Sequence, residues 1–166
     1  VSSGQLLSVQ YDFNQNTEFP GSIVSHIFEG YGLFNVELTA VTKSGCISKV
    51  NKITEVFPSP IVDFSTLGVC LGDQTEFRDF SFVDNSDIIS WNWDLGGEKF
   101  SSNENTAHYF DYPGVYNINL AVRSTMGCTR ELNKKLKIYK LPDANFSIAS
   151  DICLGEMHLK SGTDFI

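Results

Sequence analysis

The sequence predicts an all-β chain built from β-sandwich modules. Its composition favours strands over helices, with 13 Phe and 6 Tyr against only 2 Met among 166 residues. Two segments, Ile89–Leu95 and Tyr116–Val122, alternate large apolar and polar side chains, which is the period of a strand with one buried face. No window combines a sustained helical apolar period with helix-forming residues, so we expect little or no helix.

The chain is similar to itself at a fixed offset. His26-Ile27-Phe28 returns as His108-Tyr109-Phe110, an offset of 108 − 26 = 82. The same spacing relates Cys46 to Cys128 and Phe64 to Phe146, and it becomes 83 between Cys70 and Cys153. One inserted loop residue explains that last value. A period sustained along the chain predicts an array of modules.

The repeat frame divides the chain into one complete and two partial repeats. Residues 1–57 correspond to the later strands of one repeat, residues 58–140 form a complete repeat, and residues 141–166 begin the next. Prolines in the junctions Pro58-Ser59-Pro60 and Leu141-Pro142-Asp143 predict short, semi-rigid linkers. We therefore expect the chain to be a segment of a longer array.

Turn signals separate the predicted strands of the complete repeat. Gly96-Gly97 suits a turn with positive φ, Pro113-Gly114 suits the centre of a type II turn, and Met126-Gly127 suits a hairpin. The strands between these signals are predicted near residues 61–66, 74–82, 88–95, 98–102, 106–111, 115–123 and 129–139. Seven short antiparallel strands are typical of a β-sandwich.

The stretch from Trp93 to Leu120 resembles the PKD domain, an immunoglobulin-like sandwich found in tandem in extracellular proteins. The family motif reads roughly W-D-F-G-D-G, then H-x-Y, then P-G-x-Y-x-V-x-L-x-V. The matching segments are residues 93–98, 108–110 and 113–120. This sequence departs from the motif at Leu95, Gly97 and Phe110. The resemblance implies an all-β, immunoglobulin-like β-sandwich with structural motif residues, namely Trp91, Trp93, Asp94, Gly96, His108, Pro113, Gly114, Tyr116, Cys70 and Cys128.

The resemblance also implies a setting. It is closest to repeats of large surface proteins in gliding and biofilm-forming bacteria, so a secreted or cell-surface location is expected. There the modules would act as non-catalytic spacers and adhesive units that contact protein or glycan and neighbouring repeats. The alternative is an accessory carbohydrate- or protein-binding module of a secreted hydrolase. Flanking repeats would favour the first reading, and a flanking catalytic domain the second.

Residues capable of chemistry are scattered. His26 and His108 recur at one motif position, which favours a structural hydrogen bond, and neither is spaced with Cys or another His as zinc ligands are. No serine lies in a G-x-S-x-G motif. Carboxylates at Asp79, Asp84, Asp87 and Asp94 suit turns, with a calcium site or a catalytic pair as alternatives. We predict no catalytic, cofactor-binding or metal-ligating residue.

The two tryptophans share one strand face. Exposed aromatic pairs can stack on sugar rings, but Ile89 and Leu95 continue the face of Trp91 and Trp93. Core packing is therefore the preferred interpretation, and Tyr116, Ile118 and Leu120 are expected to face Trp91, Trp93 and Phe77 across the core.

The four cysteines occupy repeat-fixed positions, which favours an oxidising, extracellular setting. In an immunoglobulin-like sandwich the first and last hairpin turns lie at opposite ends, too far apart to bridge Cys70 and Cys128. We expect any disulfides to join successive modules.

The net charge of −8 argues against nucleic acid and anionic membrane surfaces as partners. No apolar run is long enough to span a bilayer, so membrane insertion is not expected. The lack of a signal peptide carries little meaning, since the chain starts mid-pattern without Met.

Overall fold

The computed structural model describes residues 5–13, 18–97, 99–148 and 159–162. Within these ranges the backbone forms strands and turns and no helix, which confirms the all-β prediction. The strands are β1 (Leu6–Asp12), β2 (Glu18–Pro20), β3 (Gly32–Thr42), β4 (Ile47–Val56), β5 (Phe64–Ser65), β6 (Thr75–Asp79), β7 (Ile88–Leu95), β8 (Phe100–Ser101), β9 (Thr106–His108), β10 (Gly114–Ser124), β11 (Thr129–Ile138), β12 (Asn145–Ile148) and β13 (Leu159–Gly162).

The strands form four sheets. Two are four-stranded, with orders β2-β1-β3-β4 and β11-β10-β7-β8; one is three-stranded, β5-β6-β9; and the last pairs β12 with β13. The seven strands predicted in the complete repeat correspond to β5 through β11, several of them shorter than expected. For example, the predicted strand 61–66 contracts to Phe64–Ser65, and Ile61 forms an isolated bridge with Phe82.

Contact clustering divides the chain into two compact units. One comprises Val1–Val62, Ser81–Trp91 and Ala121–Glu131, and the other comprises Asp63–Phe80, Asn92–Leu120 and Leu132–Ile166. This division follows spatial proximity and does not test the frame of 1–57, 58–140 and 141–166. That frame stays a prediction.

Strand bounds recur at the offset found in the sequence. β3 begins at Gly32 and β10 at Gly114 (114 − 32 = 82), and the two strands have equal length. The strands β4 and β11 correspond in the same way (129 − 47 = 82). The register of strand pairing recurs at the same offset. Strands β1 and β2 pair Tyr11 with Phe19, while β7 and β8 pair Trp93 with Ser101. Each residue of the second pair thus lies 82 positions after its counterpart in the first.

The best-packed core lies around Trp93, which is fully buried. Its ring meets Phe64 edge-on at a centroid distance of 5.1 Å and Phe77 at 5.8 Å. Those two rings come from β5 and β6, so the three-stranded sheet faces the sheet that contains β7. The indole Nε1 donates to the carbonyl of Asn103 at 2.9 Å, which satisfies its one polar group. Leu95 and Leu120 are also buried.

Two expectations about this core were wrong. Ile89 was assigned to the buried face of β7, but it is 55% exposed because it lies at the start of the strand, outside the packed centre. Ile118 and Leu120 were expected across the core from Trp93. They are buried, but β10 is the neighbour of β7 in the same sheet, so these side chains lie beside Trp93.

A lysine ties the edges of the two sheets together. Lys134 lies on β11, two residues before Leu136 and four before Ile138, and therefore on the same strand face as these two apolar residues. Its Nζ donates to Asp63 Oδ1 at 2.6 Å and to the carbonyl of Phe64. The ammonium also lies 4.9 Å from the centroid of the Phe64 ring, within the range of a cation–π contact.

Candidate functional site

The predicted motif residues converge at the turn that follows β7. Asp94 Oδ1 accepts hydrogen bonds from the backbone N–H groups of Gly96 (3.1 Å) and Gly97 (2.6 Å). Both glycines have positive φ, 102° and 92°, as their place in a tight turn requires. Asp94 therefore serves here as a turn-forming residue whose carboxylate binds two backbone amides.

Gly96 has a second reason to lack a side chain. A Cβ built on it would lie 2.8 Å from Cδ1 of Tyr116. Tyr116 thus packs directly over the turn, while its hydroxyl donates to the backbone carbonyl of Tyr112 at 2.8 Å. The tyrosine thereby couples the turn after β7 to the loop before β10.

An aromatic stack continues from Tyr116. Its ring lies 4.3 Å from that of Phe110, and Phe110 meets the His108 imidazole at 4.7 Å. The stack recurs earlier in the chain, where Phe34 lies 4.5 Å from Phe28 and Phe28 lies 4.7 Å from His26. The recurring histidines therefore act as aromatic packing partners, a contact that the sequence pattern did not indicate.

The turn after β7 and the later of the two stacks line a depression of about 110 Å³. Its lining includes Gly96, His108, Asp111, Tyr112 and Tyr116. Tyr112 is 74% exposed, which makes it the most solvent-accessible aromatic side chain lining the depression. The arrangement offers one aromatic face and one carboxylate to a surface ligand.

Other predicted motif residues have backbone roles or are partly buried. Trp91 is half-buried, in contrast to Trp93. Gly114 begins β10 and is absent from the glycines with positive φ, so the predicted type II turn centred on Pro113-Gly114 was wrong. Gly127 does have positive φ (85°), and its N–H donates to the carbonyl of Ser124, which confirms the predicted hairpin turn.

Three cysteines carry free thiols. Cys46 and Cys70 are exposed, and Cys128 is half-buried in the hairpin after β10. Cys70 forms an isolated parallel bridge with Tyr139. The position of Cys153 lies outside the described residues. Pairing of these thiols with neighbouring modules stays a prediction.

The four aspartates considered for calcium have separate surroundings. Asp84 accepts a hydrogen bond from the Tyr31 hydroxyl at 3.2 Å, and the negative charge of Asp84 raises the pKa of Tyr31. The backbone N–H of Asp79 donates to the Asn105 side chain. Among the residues that the structure describes, no three His, Cys, Asp or Glu side chains are grouped to hold a metal ion.

A second depression, of about 220 Å³, lies at the first proline junction. It is lined by Phe28, Glu29, Tyr31, Phe57 and Pro58, among others. Both depressions are smaller than the 300–1,000 Å³ usual for sites that enclose a small molecule. Within the described ranges, no helix is long and apolar enough to cross a membrane.

Sequence reasoning missed Lys134 and Tyr112 as contributors to this architecture. A signal for the lysine was present, because Lys52 and Lys134 keep the offset of 82 at positions where a sandwich strand is usually apolar. For Tyr112 the sequence offered no signal, since its exposure follows from a turn that alternation does not describe.

Comparison with known proteins identifies the module. Residues 58–138 match the family model of the PKD domain. The fold is similar to the PKD1 domain of Vibrio anguillarum Epp (19% identity, 50% of this chain and 96% of that one, TM-score 0.47). It is also similar to the PKD1 domain of the Vibrio cholerae metalloprotease PrtV (19%, 50% and 98%, 0.42) and to a carbohydrate-binding module of the β-sandwich superfamily (15%, 62% and 52%, 0.46). Residues 58–138 therefore form a PKD-like module with an immunoglobulin fold.

Proposed function

We propose that this chain is a stretch of tandem, non-catalytic PKD-like modules from a secreted or surface-exposed bacterial protein. The modules serve as spacers and as adhesive units that contact protein or glycan. Their frame is the one that the sequence period defines, with residues 58–140 as the complete module and residues 1–57 and 141–166 as parts of its neighbours.

The recurrence of strand register carries this proposal. Alternating apolar residues could arise in unrelated strands. A repeated register is a stricter requirement, because both residues of a cross-strand pair must then recur at the same sequence offset. The pairs Tyr11–Phe19 and Trp93–Ser101 meet that requirement (93 − 11 = 82; 101 − 19 = 82). Repetition at this level supports an array of one module type.

The surface supports contact rather than catalysis. The two depressions described above are small, the Asp94 carboxylate binds the turn after β7, and the Asp84 carboxylate accepts a hydrogen bond from the Tyr31 hydroxyl. The repeat-fixed cysteines support an extracellular setting. The cysteines would then join adjacent modules when oxidised.

The ligand contact is assigned to the depression beside Tyr112. An exposed tyrosine next to Asp111 presents an apolar ring and a hydrogen-bond acceptor, the pair of features by which protein surfaces hold sugars and aromatic-rich peptides. The backbone carbonyl of Tyr112 accepts the hydrogen bond from the Tyr116 hydroxyl, and the Tyr112 side chain is 74% exposed. Its side chain can therefore be removed without loss of that hydrogen bond.

The full chain, immobilised on glycan and extracellular-protein arrays, tests the proposal. We expect binding that Tyr112→Ala reduces and that Tyr109→Ala leaves unchanged. Tyr109 is a matched control because it is 56% exposed but does not line the depression. Absence of binding on both arrays would contradict the adhesive role, and equal losses in the two variants would contradict the assigned site.

A further inference from the structure

The edge strand β11 concentrates positive charge on an acidic chain. Residues 132–140 contain four of the 12 Lys and Arg residues and no Asp or Glu. These four are Lys134, Lys135, Lys137 and Lys140. The rest of the chain therefore has a formal charge of −12, since the whole chain has −8 (−8 − 4 = −12). A local group of cations attracts anionic groups even on a protein of negative net charge.

Alternation along β11 separates these lysines into two sets. Lys134 lies on the face of the buried Leu136 and binds the Asp63 carboxylate. Lys135 and Lys137 lie on the opposite, outer face, where both are exposed and about 7 Å apart along the strand. Within the described residues neither of them forms an ion pair with a carboxylate. Their charges are therefore accessible to a ligand.

Tyr139 follows on the same outer face and is held in position although its ring is partly exposed. Its backbone exchanges hydrogen bonds with Val69 and Leu71. A Cβ built on Gly68 would lie 2.9 Å from Cε2 of the tyrosine ring, so the ring requires a glycine at that position. The tyrosine is nevertheless 47% exposed, and Nζ of Lys137 lies 4.8 Å from its ring centroid. The outer face thus presents a positioned aromatic ring next to a cation.

Strand β10 adds an amide side chain to this face. In the first sheet Asn35 on β3 pairs with Ile53 on β4, and the offset of 82 makes Asn117 and Lys135 the equivalent pair. The hydrogen bond that closes the hairpin recurs at the same offset, so the register agrees. Asn117 is exposed. We call this surface the lysine face; its members are Asn117, Lys135, Lys137 and Tyr139.

Lysines on an edge strand can serve only to prevent edge-to-edge pairing of sheets. That role would require positive charge at the equivalent positions of β4, which is also the edge of its sheet. Those positions are Ile53 and Glu55 (135 − 53 = 82; 137 − 55 = 82). The charges of Lys135 and Lys137 are therefore specific to one module and are not a requirement of the shared scaffold.

The equivalent surface of the first sheet stays exposed where a further module follows it. Ile53 and Phe57 are the counterparts of Lys135 and Tyr139, and they are 73% and 37% exposed. The PKD-like module of residues 58–138 comes directly after them. The lysine face is therefore expected to be accessible in a chain of consecutive modules.

We propose that the lysine face binds an anionic polysaccharide, a chain of sugar rings that carry carboxylate or sulfate groups. The ammonium groups of Lys135 and Lys137 bind the anionic groups, and the ring of Tyr139 stacks on a sugar. The Asn117 amide donates to and accepts from sugar hydroxyls. Cations in a row along a strand suit a polymer that repeats its charge along its length.

The charge around the lysine face favours a polysaccharide over a nucleic acid. Duplex DNA carries one negative charge per about 1.7 Å of helix axis. A body of that width and charge density would meet the carboxylates that give the rest of the chain its charge of −12. A single polysaccharide strand is thinner and can follow one strand of the sheet.

This inference goes beyond the proposed function and does not depend on the site assigned there. None of Asn117, Lys135, Lys137 and Tyr139 lines the depression beside Tyr112. Failure of binding at that depression would therefore leave the lysine face untouched, and the reverse also holds.

Fluorescence anisotropy of the full chain with labelled polymers tests the proposal. The probes are polygalacturonate, which carries carboxylates, and dextran sulfate, with neutral dextran as the control polymer. We expect binding to at least one of the two anionic polymers, weaker at higher salt, and none to neutral dextran. Comparison of the two anionic polymers identifies the anionic group that the face prefers.

Lysine variants locate the binding. Lys135→Gln combined with Lys137→Gln should weaken binding roughly 5- to 30-fold, the effect of losing two exposed ion pairs, and arginine at both positions should retain it. The matched control combines Lys43→Gln with Lys52→Gln, which makes the same change in net charge at two exposed lysines outside the lysine face. Tyr139→Leu keeps an apolar side chain but removes the ring, and should weaken binding roughly 2- to 10-fold. Urea unfolding checks that each variant is folded.

Four results would overturn the proposal. The first is no binding to either anionic polymer at low salt. The second is equal weakening in the two double glutamine variants, which would attribute binding to net charge. The third is duplex DNA that binds as tightly as the anionic polysaccharides. The last is a Lys135→Gln, Lys137→Gln variant that precipitates but binds with unchanged affinity, which would assign the lysines to protection of the sheet edge.

Discussion

Replacement of Trp93 by alanine tests the core that the whole module depends on. The indole is fully buried and contacts Phe64 and Phe77. A tryptophan buries up to about 250 Å². At about 25 cal/mol/Å² this gives an upper value of about 6 kcal/mol for complete loss. Since neighbouring side chains collapse partly into the cavity, the expected loss of unfolding free energy is about 3–5 kcal/mol.

Two further variants separate the contributions. Trp93→Phe keeps a ring in the core but leaves the Asn103 carbonyl without its donor, a hydrogen bond with a net value of about 1 kcal/mol. We expect a total loss of about 1–2.5 kcal/mol, which includes a smaller cavity. Trp91→Ala, on the same strand but half-buried, should cost less than about 2 kcal/mol.

Urea unfolding followed by far-UV circular dichroism is the appropriate assay, because tryptophan fluorescence would change with the substitution itself. The m value should stay constant across the variants, so that changes in midpoint report stability. A loss below about 1 kcal/mol for Trp93→Ala would refute the assignment of this ring to the core. Equal losses of unfolding free energy in Trp91→Ala and Trp93→Ala would contradict the difference in burial between the two side chains.

Three other predictions concern the signature turn and the sheet edge. Gly96→Ala should lower the free energy of unfolding by at least about 1 kcal/mol more than Gly97→Ala in urea titrations, because both have positive φ but only Gly96 lies under Tyr116. Tyr116→Phe should cost about 1 kcal/mol in the same assay through loss of its hydrogen bond to a backbone carbonyl. The hydrogen bond from Lys134 lowers the pKa of Asp63, so this pair stabilises the fold above about pH 4 and the effect disappears as pH falls through the lowered pKa. Asp63→Asn should therefore flatten the stability profile below about pH 4, and an unchanged acid profile would contradict that role.

Much of the strand layout could be predicted because alternation reports directly on burial. The period in β7 and β10 identified Trp93 and Leu120 as buried, and the offset of 82 anticipated corresponding strands whose bounds agree end to end. Alternation assigns a side chain to a face, however, and does not say which strand lies beside it. Hence Leu120 was expected across the core, although the strand order of an immunoglobulin-like sheet places it next to Trp93.

The candidate site was less predictable. The glycines of the turn after β7 were identified from their dipeptide, since positive φ is a local requirement. Ile89 was misjudged because alternation continues beyond the point where the opposite sheet ends. Lys134 was overlooked because a charged residue at an apolar position has meaning only when its partners, Asp63 and the Phe64 ring, come from a distant strand.

The short parallel contact at Tyr139 affects how the module responds to force. The N–H of Leu71 donates to the carbonyl of Tyr139 at 2.8 Å, and the N–H of Tyr139 donates to the carbonyl of Val69 at 2.9 Å. This segment near the start of the module therefore runs beside its last strand in the same direction. Tension applied to the two flanks pulls the segments past each other along their length, so the hydrogen bonds bear the load together instead of opening one after another. The contact that closes the edge of the sandwich is thus also the one best oriented to resist stretching along the chain.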